Sequence, residues 1–176
     1  MGSHDGYRNR YPLDFTRFDA SDVESMSQKY TNKSKLAEYL NSVYYGDFVL
    51  SEIIKRFENS DSIVIYFSDH GEEVYDRSAF VGHGNLSRFV VEIPFIVYVS
   101  DAFKTKHASL YQRIKEAQNQ RYMNDDLIHT LLDVAGVSMR DYEPKRSLFA
   151  KDKSLLQSRI RIIGNENFSE DYDRLK

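Results

Sequence analysis

The residues best suited to chemistry in this chain are Asp69 and His70, in the stretch Ser68-Asp69-His70-Gly71-Glu72-Glu73. A carboxylate offers a hard oxygen ligand and an imidazole a borderline nitrogen ligand, and side by side they suit a Zn2+-type ion. Gly71 allows a sharp backbone turn, so that both side chains can face one point. A second histidine, His83, follows in Gly82-His83-Gly84-Asn85, and a third, His4, stands near the start in Gly2-Ser3-His4-Asp5-Gly6. An Asp-His pair alone reads as a polar turn. Three histidines beside glycines, one with an adjacent carboxylate, make a candidate metal centre.

The elements that must position these groups come next. Ile63-Val64-Ile65-Tyr66-Phe67 is apolar, β-branched and aromatic, and reads as a buried strand that ends at Asp69 and His70. Ligand sites of open α/β sheets collect outside the carboxyl ends of strands. Glu92–Val99 reads as a second buried strand, with Pro94 near its start, where no ladder donor is lost. The two runs are expected as neighbours in one sheet, covered on both faces. A helix over 34–58, with Leu36, Leu40, Val43, Leu50, Ile53, Ile54 and Phe57 on one face, is expected to pack on that sheet, capped by Ser34 or Asn32. Gly46 within it implies a kink or a close approach, and Tyr44 and Tyr45 read as core.

Residues 1–18 read as turns, with Arg8 and Arg10 as possible anion holders, and 19–33 as a surface loop. Residues 104–119 are moderately helical. Asn124-Asp125-Asp126-Leu127 opens a clear helix that stops at Gly136, with His129 in a structural place. Arg159–Ile163 alternates like an edge strand, and 165–176 is a polar tail.

Composition narrows the function. The 176 residues are 41% hydrophobic, enough for one core, and no linker or repeat divides them. A net charge of −3 gives no sign of nucleic-acid binding. The absence of cysteine excludes disulfides and thiol catalysis. No apolar run reaches the roughly 18 residues of a membrane span, and no signal peptide is visible.

Five blocks now carry a resemblance: Gly2-Ser3-His4 with Arg10-Tyr11-Pro12, Tyr39-Leu40-Asn41-Ser42-Val43-Tyr44-Tyr45, Ser68-Asp69-His70-Gly71-Glu72, Gly82-His83-Gly84, and Glu92-Ile93-Pro94-Phe95. In this order and spacing they resemble the phosphoethanolamine transferases of the sulfatase and alkaline-phosphatase superfamily, over nearly the whole chain. The Gly-His-Gly and Glu-Ile-Pro-Phe forms look closer to the core-heptose type than to the lipid A type.

The resemblance implies an α/β, alkaline-phosphatase-like (sulfatase) fold with a central, mostly parallel sheet flanked by helices. Residues 1–176 would be the C-terminal portion of one periplasmic catalytic domain, tied to the Gram-negative inner membrane by helices outside this chain. The implied activity is metal-dependent transfer of phosphoethanolamine from phosphatidylethanolamine to a lipopolysaccharide or lipooligosaccharide acceptor, lipid A or core heptose. Asp69 and His70 take the places of zinc ligands, with Mn2+ or another divalent ion as alternatives. His4 and His83 take catalytic places, binding the phosphoryl group or a second metal, and Asn41 falls in a substrate-binding block. The family's threonine nucleophile and acidic ligand precede the Gly-Ser-His block. No residue here takes the nucleophile's place, Ser3, Thr16 and Ser68 included, and the isolated chain is expected to be inactive. Asp5 departs from the Gly-Pro that often follows the histidine in related sequences. Two other readings remain: a sulfatase or phosphodiesterase-type hydrolase of the same superfamily, and an inactive product that only folds or binds metal weakly.

Overall fold

The structure, a computed structural model, describes residues 3–164 and 169–175. Short 3-10 turns at Tyr7–Arg10, Leu13–Phe15 and Glu24–Met26 lead to helix α1, Lys33–Phe57. Strand β1 (Ile63–Phe67) is followed by the arms β2 (Glu73–Val74) and β3 (Val81–Gly82), a single helical turn α2 (Arg88–Val91) and strand β4 (Phe95–Val99). Helices α3 (Asp101–Lys106), α4 (Ala108–Glu116), α5 (Leu127–Ala135) and α6 (Ser154–Ser158) come next. A hairpin of β5 (Ile162–Gly164) and β6 (Ser169–Asp171) closes the chain. Among the described residues no helix is long and apolar enough to cross a membrane.

Strands β1 and β4 pair, as their apolar runs predict. They are less buried than expected, with Tyr66 39%, Phe67 38% and Ile96 41% exposed. The described residues form three two-stranded sheets, and two of these, β2–β3 and β5–β6, are antiparallel hairpins. Apolar runs report that a strand wants cover but not how many neighbours it finds. A wide, mostly parallel central sheet is therefore not built by these residues alone.

Two compact units divide the chain inside β1 and β4, where no linker composition could announce a boundary. The first takes residues up to Arg56 and Tyr66–Phe95, the second Phe57–Ile65 and Ile96–Leu175. In the first, Leu36 and Ala37 of α1 pack with Tyr7, Val23 and Val74, flanked by Phe18, Tyr39, Leu40, Tyr75 and Val81. The helix thus buries its first turns against the N-terminal turns and the β2–β3 hairpin. Asn32 caps it, accepting the Lys35 N–H at 3.1 Å. The rest of its apolar stripe is only partly covered: Leu50 is buried, whereas Val43, Ile53 and Phe57 are each over 40% exposed. Tyr44 and Tyr45 are not core either, since they lie against Phe15 in an aromatic patch with Phe48. Gly46 marks no close approach; α1 runs through it, and a Cβ there would meet nothing within 4 Å.

The second unit corrects the sequence reading near 124. Asn124–Asp126 form a 3-10 turn and the α-helix starts at Leu127. Asp126 is fully buried, with Arg146 Nε 2.6 Å from Oδ1 and Arg159 Nε 2.8 Å from Oδ2. Burial pushes its carboxyl up and the two arginines oppose that. Arg159 belongs to no strand because it caps the end of α6, and β5 begins only at Ile162. His129 is structural as predicted, buried with Nδ1 accepting the Glu143 N–H at 3.1 Å. Gly136 closes α5 in the left-handed conformation, φ 66°. Part of the expected polar tail is ordered as β6; residues 165–168 and 176 lie outside the described residues.

Because Gly46 is an exposed helical glycine with free space around its Cα, Gly46→Ala is expected to stabilise the first unit by about 0.5–1 kcal/mol. Urea unfolding followed by circular dichroism measures this, and a destabilised variant would mean that α1 is covered at this point.

Candidate metal centre

The three histidines named from the sequence come together within the first unit. Ring centroids are 4.2 Å apart for His70–His83, 4.9 Å for His4–His83 and 5.8 Å for His4–His70. One nitrogen from each lies within 4.8 Å of the others.

Each histidine is held by local backbone. His70 follows β1 in the turn at 68–71, where Ser68 Oγ donates to the His70 carbonyl at 2.6 Å. Gly71 is required there by close approach. A Cβ would stand 2.3 Å from the Phe89 carbonyl oxygen, and the Gly71 N–H donates to Val90 O at 2.6 Å. The turn after β1 is thus pressed onto α2. His83 follows Gly82, whose φ of 131° favours glycine, at the end of β3. His4 precedes Gly6, also left-handed with φ 79°, which starts the 3-10 turn carrying Tyr7.

Asp69 stands apart from the cluster. It is exposed, and its Oδ1 accepts the N–H of His70 at 3.1 Å. Asn41 has a different job from substrate binding. It is 1% exposed, its Oδ1 accepts the N–H groups of Arg17 and Phe18 at 2.8 Å each, and its Nδ2 donates to Phe18 O at 2.9 Å. With a longer bond from Nδ2 to the Tyr11 hydroxyl at 3.4 Å, pinning the 17–18 backbone to α1 uses up its hydrogen-bonding capacity, so it has no atom to offer a ligand.

Tautomers follow from the surroundings. His70 Nδ1 lies 2.9 Å from the Gly71 carbonyl, which only accepts, so Nδ1 carries the proton and Nε2 keeps its lone pair. Three imidazole nitrogens suit a borderline ion such as Zn2+. Zn–N bonds near 2.0 Å at tetrahedral angles put ligand nitrogens about 3.3 Å apart. The present spread reaches 4.8 Å, a gap that rotation of the exposed His4 and His83 rings can close. The residues fit a divalent cation.

Sequence reasoning assigned nothing to the two carboxylates after the turn. Glu73 is 1% exposed; Arg77 Nη2 and Nε donate to it at 2.8 and 3.2 Å, and Ser87 Oγ at 3.1 Å. It clamps both ends of the segment that carries His83. Glu72 accepts from the Tyr7 hydroxyl and from the Asp5 N–H. The available signal was a pair of acids directly after an apolar strand and turn, where burial demands partners.

The Arg77 guanidinium holds the Glu73 carboxyl below its ordinary value of 4.5. A depressed carboxylate contributes stability above its unfolded value and loses it as pH falls through the folded one. Melting temperatures should therefore drop below about pH 4.5 in the parent chain, and Glu73→Gln should be less stable at neutral pH but flatter across that acid limb. An equal acid slope in both proteins would show that the clamp does not titrate with folding. Gly71→Ala should be worse than a typical surface change, because the nearest atoms are backbone oxygens; the same melts and the His70 NMR signals report it.

Comparison with known proteins establishes the family. The sequence profile of the sulfatase family matches residues 1–137. Phosphoethanolamine transferase EptC of Escherichia coli is 32% identical over 99% of this chain and 31% of its own length. A Kdo(2)-lipid A phosphoethanolamine 7''-transferase of Salmonella typhimurium is 26% identical over 65% of the chain and 21% of its own. The crystal structure of the C-terminal periplasmic domain of EptC from Escherichia coli superposes with a TM-score of 0.79 at 30% identity, over 99% of this chain and 51% of that one. Its complex with Zn gives 0.71 at 28%, over 99% and 50%. This chain spans about a third of the length of EptC and half of the solved domain. It shares the alkaline-phosphatase-like fold of that domain over this span. The motifs, the fold and the profile together make the chain a member of the sulfatase family.

Proposed function

We propose that this chain carries part of the active site of a metal-dependent phosphoethanolamine transferase. The donor would be phosphatidylethanolamine and the acceptor a lipopolysaccharide-type molecule, at the periplasmic face of the inner membrane. The observation that carries this reading is the convergence of His4, His70 and His83 from three separate segments. Its support from relatives is the sulfatase profile and the names of the transferases it resembles. That one related domain is known in complex with Zn favours Zn2+ over other divalent ions.

In this reading His70 is held as a nitrogen donor by the Gly71 carbonyl. His4 and His83 complete the nitrogen set, and Asp69 is proposed as the oxygen ligand from the position next to His70. A divalent ion there would supply positive charge to the non-bridging phosphoryl oxygens. An exposed ring of His4 or His83 that does not ligate the ion would instead donate to those oxygens, or hold the proton needed by a leaving group. In this reading a ping-pong transfer would run through an ester of the threonine nucleophile that the resemblance implies.

Zinc titration of the 176-residue chain tests the site. His4→Ala, His70→Ala and His83→Ala should each weaken binding at least about tenfold, Asp69→Ala should weaken it as well, and His107→Ala, at the histidine beside Asp61 in the second unit, should leave it unchanged. Equal affinity in the His70 and His107 variants would sink the metal assignment. A fluorescent phosphatidylethanolamine assay with added zinc should show no turnover by this chain alone. Metal-dependent product that disappears in Asp69→Ala would mean that a nucleophile lies within these residues.

A further inference from the structure

The Glu72 carboxylate touches the surroundings of both exposed histidines. Its side chain is only 5% exposed although it lies one residue past the Gly71 turn. Its Oε1 accepts the Asp5 N–H at 3.2 Å, the residue next to His4. Its Oε2 accepts the hydroxyl of Tyr7, itself 1% exposed. The same Oε1 lies 3.7 Å from His83 Nδ1. Residues 4–7, 70–72 and 83 are far apart in sequence, and this carboxylate meets all three segments.

We propose that Glu72 is a positioning residue for the histidine cluster: it ties the loop bearing His4 to the turn bearing His70 and presents its carboxylate to the His83 ring. The physical case is one of constraint. A carboxylate withdrawn from water must collect donors, and here the donors are a backbone N–H beside one histidine and a buried phenol two residues further on, with the ring nitrogen of another histidine 3.7 Å away. Burial pushes the Tyr7 hydroxyl up, and its bond to Glu72 adds to the shift, so the phenol remains a donor at physiological pH. Lys35 of α1 holds Asp5 from the other side, Nζ to Oδ1 3.0 Å, and Arg10 Nη2 donates to the Asp5 carbonyl at 3.1 Å. The His4 loop is therefore anchored through Asp5 and Tyr7 rather than through His4 itself. Once the His83 ring closes the 3.7 Å gap, the carboxylate would keep the proton on that nitrogen and free the other for a ligand, as carboxylate–histidine–metal arrangements do. Glu72 is not one of the clustered ligand groups; it acts through the histidines.

The meaning of this arrangement for metal binding rests on the function proposed above, so the test has one arm without metal. In the zinc-free protein the His4 and His83 rings, with centroids 4.9 Å apart, should give a nuclear Overhauser contact. Glu72→Ala should lose it while keeping most of its helical signal, and its zinc affinity should fall about 10–100-fold. Tyr7→Phe, which keeps the charge and removes one tie, should fall by less, and it carries the test if Glu72→Ala does not fold. A folded Glu72→Ala that keeps the ring contact overturns the proposal, whatever its zinc affinity. If the parent chain binds no zinc yet the ring contact depends on Glu72, the positioning role stands and the metal reading falls.

Discussion

Two adjacent carboxylates withdrawn from water set the constraint on which the first unit depends. Glu72 and Glu73 follow one another directly after the turn that ends β1. Successive side chains of an extended segment leave on opposite sides, and each carboxylate finds its own donors. Glu73 gathers Arg77 and Ser87 and so closes the segment that carries His83. Glu72 gathers Tyr7 and the backbone of Asp5 and so draws in the N-terminal loop. An unpaired buried carboxylate would cost several kcal/mol, and both pairings bring a histidine with them. The glycine before them meets a second constraint: with two carbonyl oxygens at 2.3 and 3.0 Å from a Cβ position, no other residue fits without displacement.

The same logic separates the clustered histidines from the structural polar residues. Asn41 and His129 are polar, buried and fully used: one binds the 17–18 backbone, the other accepts the Glu143 N–H. His4 and His83 are exposed, and His70 is half-buried with one nitrogen occupied. Residues that spend their hydrogen-bonding capacity on their own chain stabilise it; those with a nitrogen to spare at a shared point are available for a ligand. Asp126, buried between Arg146 and Arg159, belongs to the first group despite its charge.

Much of the fold was legible because it depends on local pattern. The helix over Lys33–Phe57, both strands β1 and β4, their pairing, and the stop at Gly136 follow from periodicity and from single residues with strong conformational demands. The hairpin at Glu73–Gly82, the single turn at Arg88–Val91 and the short helix at Ser154–Ser158 were not legible. They span two to five residues each, too few for a period to register. The tyrosines at 44 and 45 misled for another reason: a tyrosine on a helix signals apolar area, and whether that area is covered depends on what packs there.

The sequence by itself determined which residues could do chemistry: the Asp-His-Gly turn, the two glycine-flanked histidines, and the ordered blocks that resemble phosphoethanolamine transferases. Residue type and backbone freedom are local properties and survive in one dimension. The tertiary structure decided which of these candidates share a point in space. It brought together His4, His70 and His83, separated in sequence by 66 and 13 positions, turned Asn41 inward, and let Asp69 close on its own backbone. It also revealed Glu72 and Glu73. Nothing in a run of two acids says which donors will meet them once water is removed, because that depends on chain segments brought near only by folding.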